Sequence, residues 1–215
     1  VVTIHDITPK FFHGHRMTST IRRKGFDIVF DRGIKQAQKI IAVSHHTKED
    51  IHTFFNIPES NISVVHNGFE TGFSADKNHA KIKELKERYG ITKDFIFYMG
   101  VWRNHKTIEG LVRAFDLLQE ERELDIQLVL GGKVLDTYPE PQKAWEELGL
   151  EIGTDIILPG FIDEGDKESF YQAAAAYIVP SLYEGFGLNG LEAMACGTPV
   201  ISSNTTSLPE VYGAA

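Results

Sequence analysis

The chain has 215 residues, with 22 basic and 30 acidic side chains and a formal net charge of −8. At 42% hydrophobic and 24% charged residues it has the balance of a globular protein, which excludes a disordered chain, and no run of about 18 apolar residues marks a membrane-spanning helix. The single cysteine excludes a disulfide framework and a cysteine-built zinc site and accords with a reducing, cytoplasmic setting, while the acidic balance argues against nucleic acid as a partner.

The chain opens on Val1-Val2-Thr3-Ile4, which reads as a buried strand with neither an initiator Met nor a signal-like stretch before it, so an upstream part is expected. Further apolar runs lie at 39–43, 62–65, 95–99, 126–130, 155–158, 177–180 and 199–202. Most are β-branched or aromatic and do not alternate with polar residues, the pattern of parallel strands covered on both faces. Thr47, with Asp50 three residues on, is predicted to cap a helix that runs through residue 55. Ile82, Leu85 and Tyr89 give helical spacing over 79–89, with Gly90 as the stop. Ile108, Leu111, Val112, Phe115 and Leu118 mark another helix. One more is expected from Leu188 to just before Gly197, and a last one starts near Leu208. Strands alternating with such helices imply βαβ units in a doubly wound α/β sheet. The Asn67-Gly68 turn signal, Gly72 and the polar stretch 74–81 place a domain boundary near 66–78.

In open α/β sheets, ligands bind beyond the carboxyl ends of the strands. The strand ending near Val179 is followed by Glu184-Gly185-Phe186-Gly187 and then by a helix from Leu188. Loop amides beside a helix N-terminus suit an anion, above all a phosphate. Two carboxylates there, Glu184 in the loop and Glu192 in the helix, need hydroxyls to accept from, which suits a ribose and a hexose flanking a diphosphate. Alone, a Gly-x-Gly pair is equally a plain turn. Beyond the strand 95–99, Arg103 and Lys106 can neutralise a diphosphate, one as a fork and one as a point charge. Isolated, they would be solvated loop charges. His5 ends the first strand, again at a carboxyl edge, and Asp6 braces its loop. Lys133 follows Gly131-Gly132 at another strand end. The close pairs His13-x-His15 and His45-His46 have no motif carboxylate to complete a metal site. Adjacent His45 and His46 diverge on a helix, so no metal is expected. Cys196 is expected to pack as a small apolar residue.

The string PSLYEGFGLNGLEAMACGTPV at 180–200, with seven residues between Glu184 and Glu192, resembles the Glu-x7-Glu signature of retaining GT-B glycosyltransferases of family 4, the glycosyl transferases group 1. TIHDITP at 3–9, VSHHTKEDI at 43–51, VVHNGFE at 64–70, YMGVWRNHKTIEGLVRAF at 98–115, LPGFIDEGD at 158–166 and SLPEVYG at 207–213 extend the resemblance, in order, over nearly the whole chain. It implies a GT-B fold of Rossmann-like parallel sheets. Residues 1–70 would be the C-terminal part of the acceptor-side domain, and 71–215 a truncated donor nucleotide-sugar domain. The implied activity is retaining transfer of a hexose, mannose preferred, from a GDP- or UDP-linked donor. The acceptor would be a glycan, a lipid-linked or a small-molecule hydroxyl, and no metal or other cofactor is required.

Residue by residue, the resemblance makes Lys106, with Arg103, the partners of the diphosphate. It also gives that role to the amides of Gly185, Phe186, Gly187 and Leu188. Glu192 would accept from the ribose, Glu184 would hold the sugar hydroxyls, and His5 would orient or hydrogen-bond in the transition state. Ile162, after Phe161, would meet the base. The chain departs from the family pattern where Val101 replaces an Arg after Gly100, and where Asn189-Gly190 stands in place of a proline. Two other readings share the motifs. One is a non-catalytic nucleotide-binding fragment or subunit. The other is a GT-B epimerase or phosphorylase, the latter needing a lysine for pyridoxal phosphate. A cytoplasmic protein is expected, free or peripheral at a membrane surface, although no basic amphipathic helix supports the membrane.

Overall fold

The structure is a computed structural model that describes residues 1–12, 20–122, 124–133 and 138–213, with side chains from residue 24 onward in the second stretch. In chain order its elements are β1 (Val2–Ile4), α1 (Thr8–Phe11), α2 (Thr20–Gln36), β2 (Ile40–Ala42), α3 (His45–Phe55), β3 (Ile62–Val64), α4 (His79–Tyr89), β4 (Asp94–Met99), α5 (Ile108–Arg122) and β5 (Ile126–Gly131). There follow α6 (Glu140–Leu148), β6 (Ile156–Gly160), α7 (Glu164–Ala173), β7 (Ala176–Val179), α8 (Leu188–Ala195), β8 (Val200–Ser202) and α9 (Leu208–Tyr212). Every apolar run read as a strand is one. The contacts divide the chain into two units, Val1–Gly68 with Leu182–Gly187 and Asn204–Ala215, and Phe69–Ser181 with Leu188–Ser203.

In the smaller unit β1, β2 and β3 form a parallel sheet in that order, with Ile4 opposite Ala42 and Ala42 opposite Val64. Ile7, Ile34, Ile40, Ile51 and Phe55 close over it as one core with Tyr183. Each such side chain, fully buried, contributes about 1.5–3 kcal/mol. The cap of α3 is Ser44, not Thr47 as the sequence pattern suggested. Ser44 is the last extended residue, with φ −151° and ψ 163°, and its Oγ accepts the Thr47 N–H at 3.0 Å. Thr47 lies one turn inside the helix, and Asp50 instead accepts from the Tyr183 hydroxyl. That bond and burial push the Tyr183 hydroxyl well above its ordinary pKa, burial being the larger cause.

The larger unit is built on a five-stranded parallel sheet in the order β6-β5-β4-β7-β8. The side chains alternate across it as a pleated strand requires. Tyr98, Leu128, Leu130 and Ile156 share a core with Trp102 and Trp145. Phe97 turns the other way, stacks on Phe170 at 5.1 Å and meets Tyr171 and Tyr177 edge-on. Helix α4 stops at Gly90 in the left-handed conformation, φ 69°, as the pattern predicted. The strand order reverses at β4, which has β5 on one side and β7 on the other, so the loops after β4 and β7 leave the same sheet edge at a switch point. Among the described residues, no helix is long and apolar enough to cross a membrane.

Candidate functional site

In the larger unit the two switch-point loops are tied together by their own side chains. The loop after β4 carries Arg103, exposed and extended, just before a 3-10 turn at Asn104–Lys106 that ends on the half-buried Lys106, whose N–H bonds the Arg103 carbonyl at 2.8 Å. Trp102 roots this loop: it is fully buried and its Nε1 donates to the Gly131 carbonyl at 3.3 Å. The Thr107 hydroxyl donates to the Pro180 carbonyl at 2.8 Å, fastening the loop to the end of β7. The first turn of α8 is brought to the same edge by Asn189, whose Nδ2 donates to the Met99 carbonyl at 3.0 Å. The Tyr177 hydroxyl donates to that carbonyl too, at 3.0 Å. The residue that breaks the family pattern is therefore a structural tie between α8 and β4.

Glu192 lies on α8, half-buried, and accepts the Tyr171 hydroxyl at 2.9 Å. Burial above all, then the neighbouring Tyr177 and Glu192, pushes the Tyr171 hydroxyl far up, so it stays protonated and donates to the carboxylate. Leu188 begins α8 and is exposed. Ile162, after β6, is buried against Gly131, while its neighbour Phe161 is 81% exposed. Lys133 is exposed after β5. Cys196 is buried, and burial with Glu168 nearby pushes its thiol up to about 11, which leaves it unreactive at neutral pH.

The remaining expected residues fall in the smaller unit. His5 follows β1 and is exposed, and Asp6 Oδ1 accepts the Thr8 N–H at 2.8 Å, bracing the loop as expected. The backbone of Gly185 lies directly on the His5 carbonyl, where a β-carbon would collide. The loop that contains Glu184 is held by the segment leading into α9. Thr206 Oγ1 accepts the Glu184 N–H at 3.1 Å and the Ser207 hydroxyl donates to the Glu184 carbonyl at 2.9 Å. The Tyr212 hydroxyl donates to the Gly187 carbonyl at 2.6 Å. Phe186 is buried against the His66 ring, 5.7 Å between centroids. The structure thus sorts the expected residues into two groups: Arg103, Lys106, Ile162, Leu188 and Glu192 in one unit, and His5 with 184–187 in the other.

The sequence reading missed Tyr171, Thr206, Ser207 and Tyr212, the groups that hold the carboxylate and the loop. It also missed the convergence of His45, His66 and Glu210 in the smaller unit. His13 and His15 lie outside the described residues.

Comparison with known proteins divides the chain near the same place. Residues 81–215 match the family model described as Glycosyl transferases group 1, and residues 1–73 the one described as Glycosyltransferase Family 4. The chain is 31% identical over 221 residues to the O-antigen chain mannosyltransferase B of Escherichia coli, covering 99% of this chain and 55% of that protein. It is 31% identical over 183 residues to the serotype-specific mannosyltransferase WbdA of Escherichia coli, covering 83% and 22%. Among solved structures, HepE of Anabaena in complex with UDP and glucose matches with a TM-score of 0.76 at 20% identity, over 97% of this chain and 54% of that one. The chain spans between about a fifth and about half of the length of these curated relatives.

Proposed function

The chain belongs to the glycosyl transferases group 1 of glycosyltransferase family 4, with a GT-B fold of Rossmann-like sheets, and from that premise we propose that it moves a mannosyl residue from a nucleoside-diphosphate donor to an acceptor hydroxyl with retention at the anomeric carbon. The observation that carries this reading is the switch point of the larger unit, where Arg103 precedes the turn that ends on Lys106 and Glu192 stands on a helix fastened to the same sheet edge by Asn189. The transition state of such a transfer is an oxocarbenium-like sugar parting from a diphosphate. Its main demand is compensation of charge on the leaving phosphate, by groups already in place. Lys106 and Arg103 supply it, and Glu192, oriented by Tyr171, accepts from the ribose hydroxyls. With Leu188 and Ile162 these residues all lie in one unit. The sugar-facing roles of His5 and Glu184, and the diphosphate role of the 185–187 amides, belong to the other unit and follow from the family resemblance.

The mannosyl preference rests on the relatives named as mannosyltransferases, and the base is guanine or uracil. With two cations at the phosphates, no divalent metal takes part in the transfer, and the buried free cysteine accords with a cytoplasmic protein. Proton NMR of the reaction with GDP-mannose, a mannoside acceptor and EDTA tests the chemistry. An α-configured donor is expected to yield an α-configured product with EDTA present. A β product, no release of nucleoside diphosphate, or turnover abolished by EDTA and restored by Mg²⁺ would contradict it.

A further inference from the structure

One cluster of ligating side chains in the smaller unit lies outside the residues assigned to the donor. His45 opens α3, His66 follows β3, and Glu210 lies in the first turn of α9. One ring nitrogen of each histidine and one carboxylate oxygen of Glu210 all lie within 4.8 Å of one another. The two rings meet edge-on with centroids 6.1 Å apart, and His66 Nε2 is 2.6 Å from Glu210 Oε1. The carboxylate is oriented independently of the rings. The His45 backbone N–H donates to both of its oxygens at 2.9 Å, and that of His46 reaches Oε2 at 3.4 Å. Backbone bonds of this kind commonly orient a ligating carboxylate. Glu210 has a side chain 19% exposed and His66 one 51% exposed, so the carboxylate is tucked in while the imidazole faces water. Burial pulls the Glu210 carboxyl upward, but the His45 N–H, His66 and the His46 N–H outweigh it, and the group is held below its ordinary range.

The other histidines nearby are turned elsewhere. His46 faces Asp50 at 3.4 Å and Tyr183, and His52 bonds the Ile57 carbonyl at 2.7 Å. Two imidazoles and one carboxylate are a donor set for zinc and its neighbours in the first transition row, with a fourth position left to water. Metal–ligand distances of about 2.0–2.2 Å put ligand atoms about 3.3 Å apart in a tetrahedron. To reach that spacing the 2.6 Å His66–Glu210 pair has to open and any separation nearer 4.8 Å has to close.

We propose that His45, His66 and Glu210 form a divalent transition-metal site of the zinc class. A bound ion replaces the His66–Glu210 hydrogen bond and joins the start of α3, the exit of β3 and α9. Through Tyr212 and Ser207 of that last segment, and through Phe186 against His66, it firms the loop 184–187. Its role is structural, and it needs no residue assigned to the donor.

The test is Co²⁺ titration of the tag-free, EDTA-dialysed chain, read from the visible absorption of the cobalt complex, with Zn²⁺ calorimetry beside it. One equivalent is expected to bind with the absorption of a four-coordinate site. His66→Ala and His45→Ala are expected to weaken it about tenfold or more, and Glu210→Gln likewise. His46→Ala and His52→Ala should bind as the parent does, and circular dichroism should show every variant folded. No binding by the parent chain would overturn the proposal. So would binding unchanged in His66→Ala, or binding lost when His13 and His15 alone are replaced.

Discussion

Tyr171 sets the position of Glu192 through one hydrogen bond, 2.9 Å long, from a hydroxyl that burial keeps protonated. Tyr171→Phe removes that bond and nothing else of the ring. The expected outcome is a loss of about 1 kcal/mol in unfolding free energy, together with several-fold weaker nucleotide binding, measured by denaturant titration and calorimetry. A carboxylate that merely faced solvent would show neither effect. The same chemistry fixes a pH dependence. The folded pKa values of Tyr171 and Tyr183 lie above that of an unfolded tyrosine, so the unfolded chain releases protons first as the pH rises. Stability is therefore full below about pH 10 and falls above it. Thermal unfolding from pH 8 to 11 is expected to show that decline, with a shallower slope in Tyr183→Phe. At this scale the sequence showed the charged groups and hid their partners. Glu192, Glu184 and Lys106 stand in readable strings, but the bonds that orient them span 21 residues to Tyr171 and 22 from Glu184 to Thr206. Asn189 reaches 90 residues back to Met99. No local pattern carries such distances. Nor does any spacing motif connect Glu210 with His66, 144 residues apart.

Among elements, the loop 182–187 shows how a short segment is fixed from outside. Its two ends continue into β7 and α8, yet its own contacts are with the smaller unit. Gly185 rests on the His5 carbonyl, and Gly90 ends α4 with open space around it but φ 69°. The two glycines are thus needed for different reasons, close approach in one and a left-handed backbone in the other. Gly185→Ala is expected to cost about 3 kcal/mol or more, because a backbone carbonyl cannot move aside cheaply. Gly90→Ala should cost about 1 kcal/mol, the ordinary penalty of a left-handed alanine. Unfolding free energies of the two variants measure this, and equal losses would contradict the assignment. Element positions were readable where apolar spacing was clean, as in α4, α5 and the strands. The sequence reading did not single out α2: Gly25 and Gly33 interrupt it, and Ile28 and Val29 are 54% and 74% exposed, so its apolar residues form no single stripe. The α3 cap was misplaced by one turn because Ser44 and Thr47 are both capping residues, and only the extended backbone at Ser44 decides between them.

For the whole molecule, alternating strands and helices foretold parallel sheets, and the strands came out where the apolar runs lie. The order β6-β5-β4-β7-β8 was not in the spacing. It depends on which side of β4 each crossover returns to, a choice among non-local pairings that right-handed connections narrow without settling. A boundary drawn along the chain near 66–78 also cannot express units that exchange segments: 182–187 and 204–215 are counted by their contacts with residues 1–68. Family resemblance, carried by the string around Glu184 and Glu192, supplied what periodicity could not. The claim on which the functional reading turns is that the larger unit binds the nucleotide of a sugar donor through Lys106 and Glu192. Calorimetric titration of GDP and UDP, with and without their sugars, into metal-free chain measures it directly. Micromolar binding of one nucleotide is expected, weakened about tenfold or more in both Lys106→Ala and Glu192→Ala. Absence of binding by the folded chain, or binding unchanged in both variants, would contradict it.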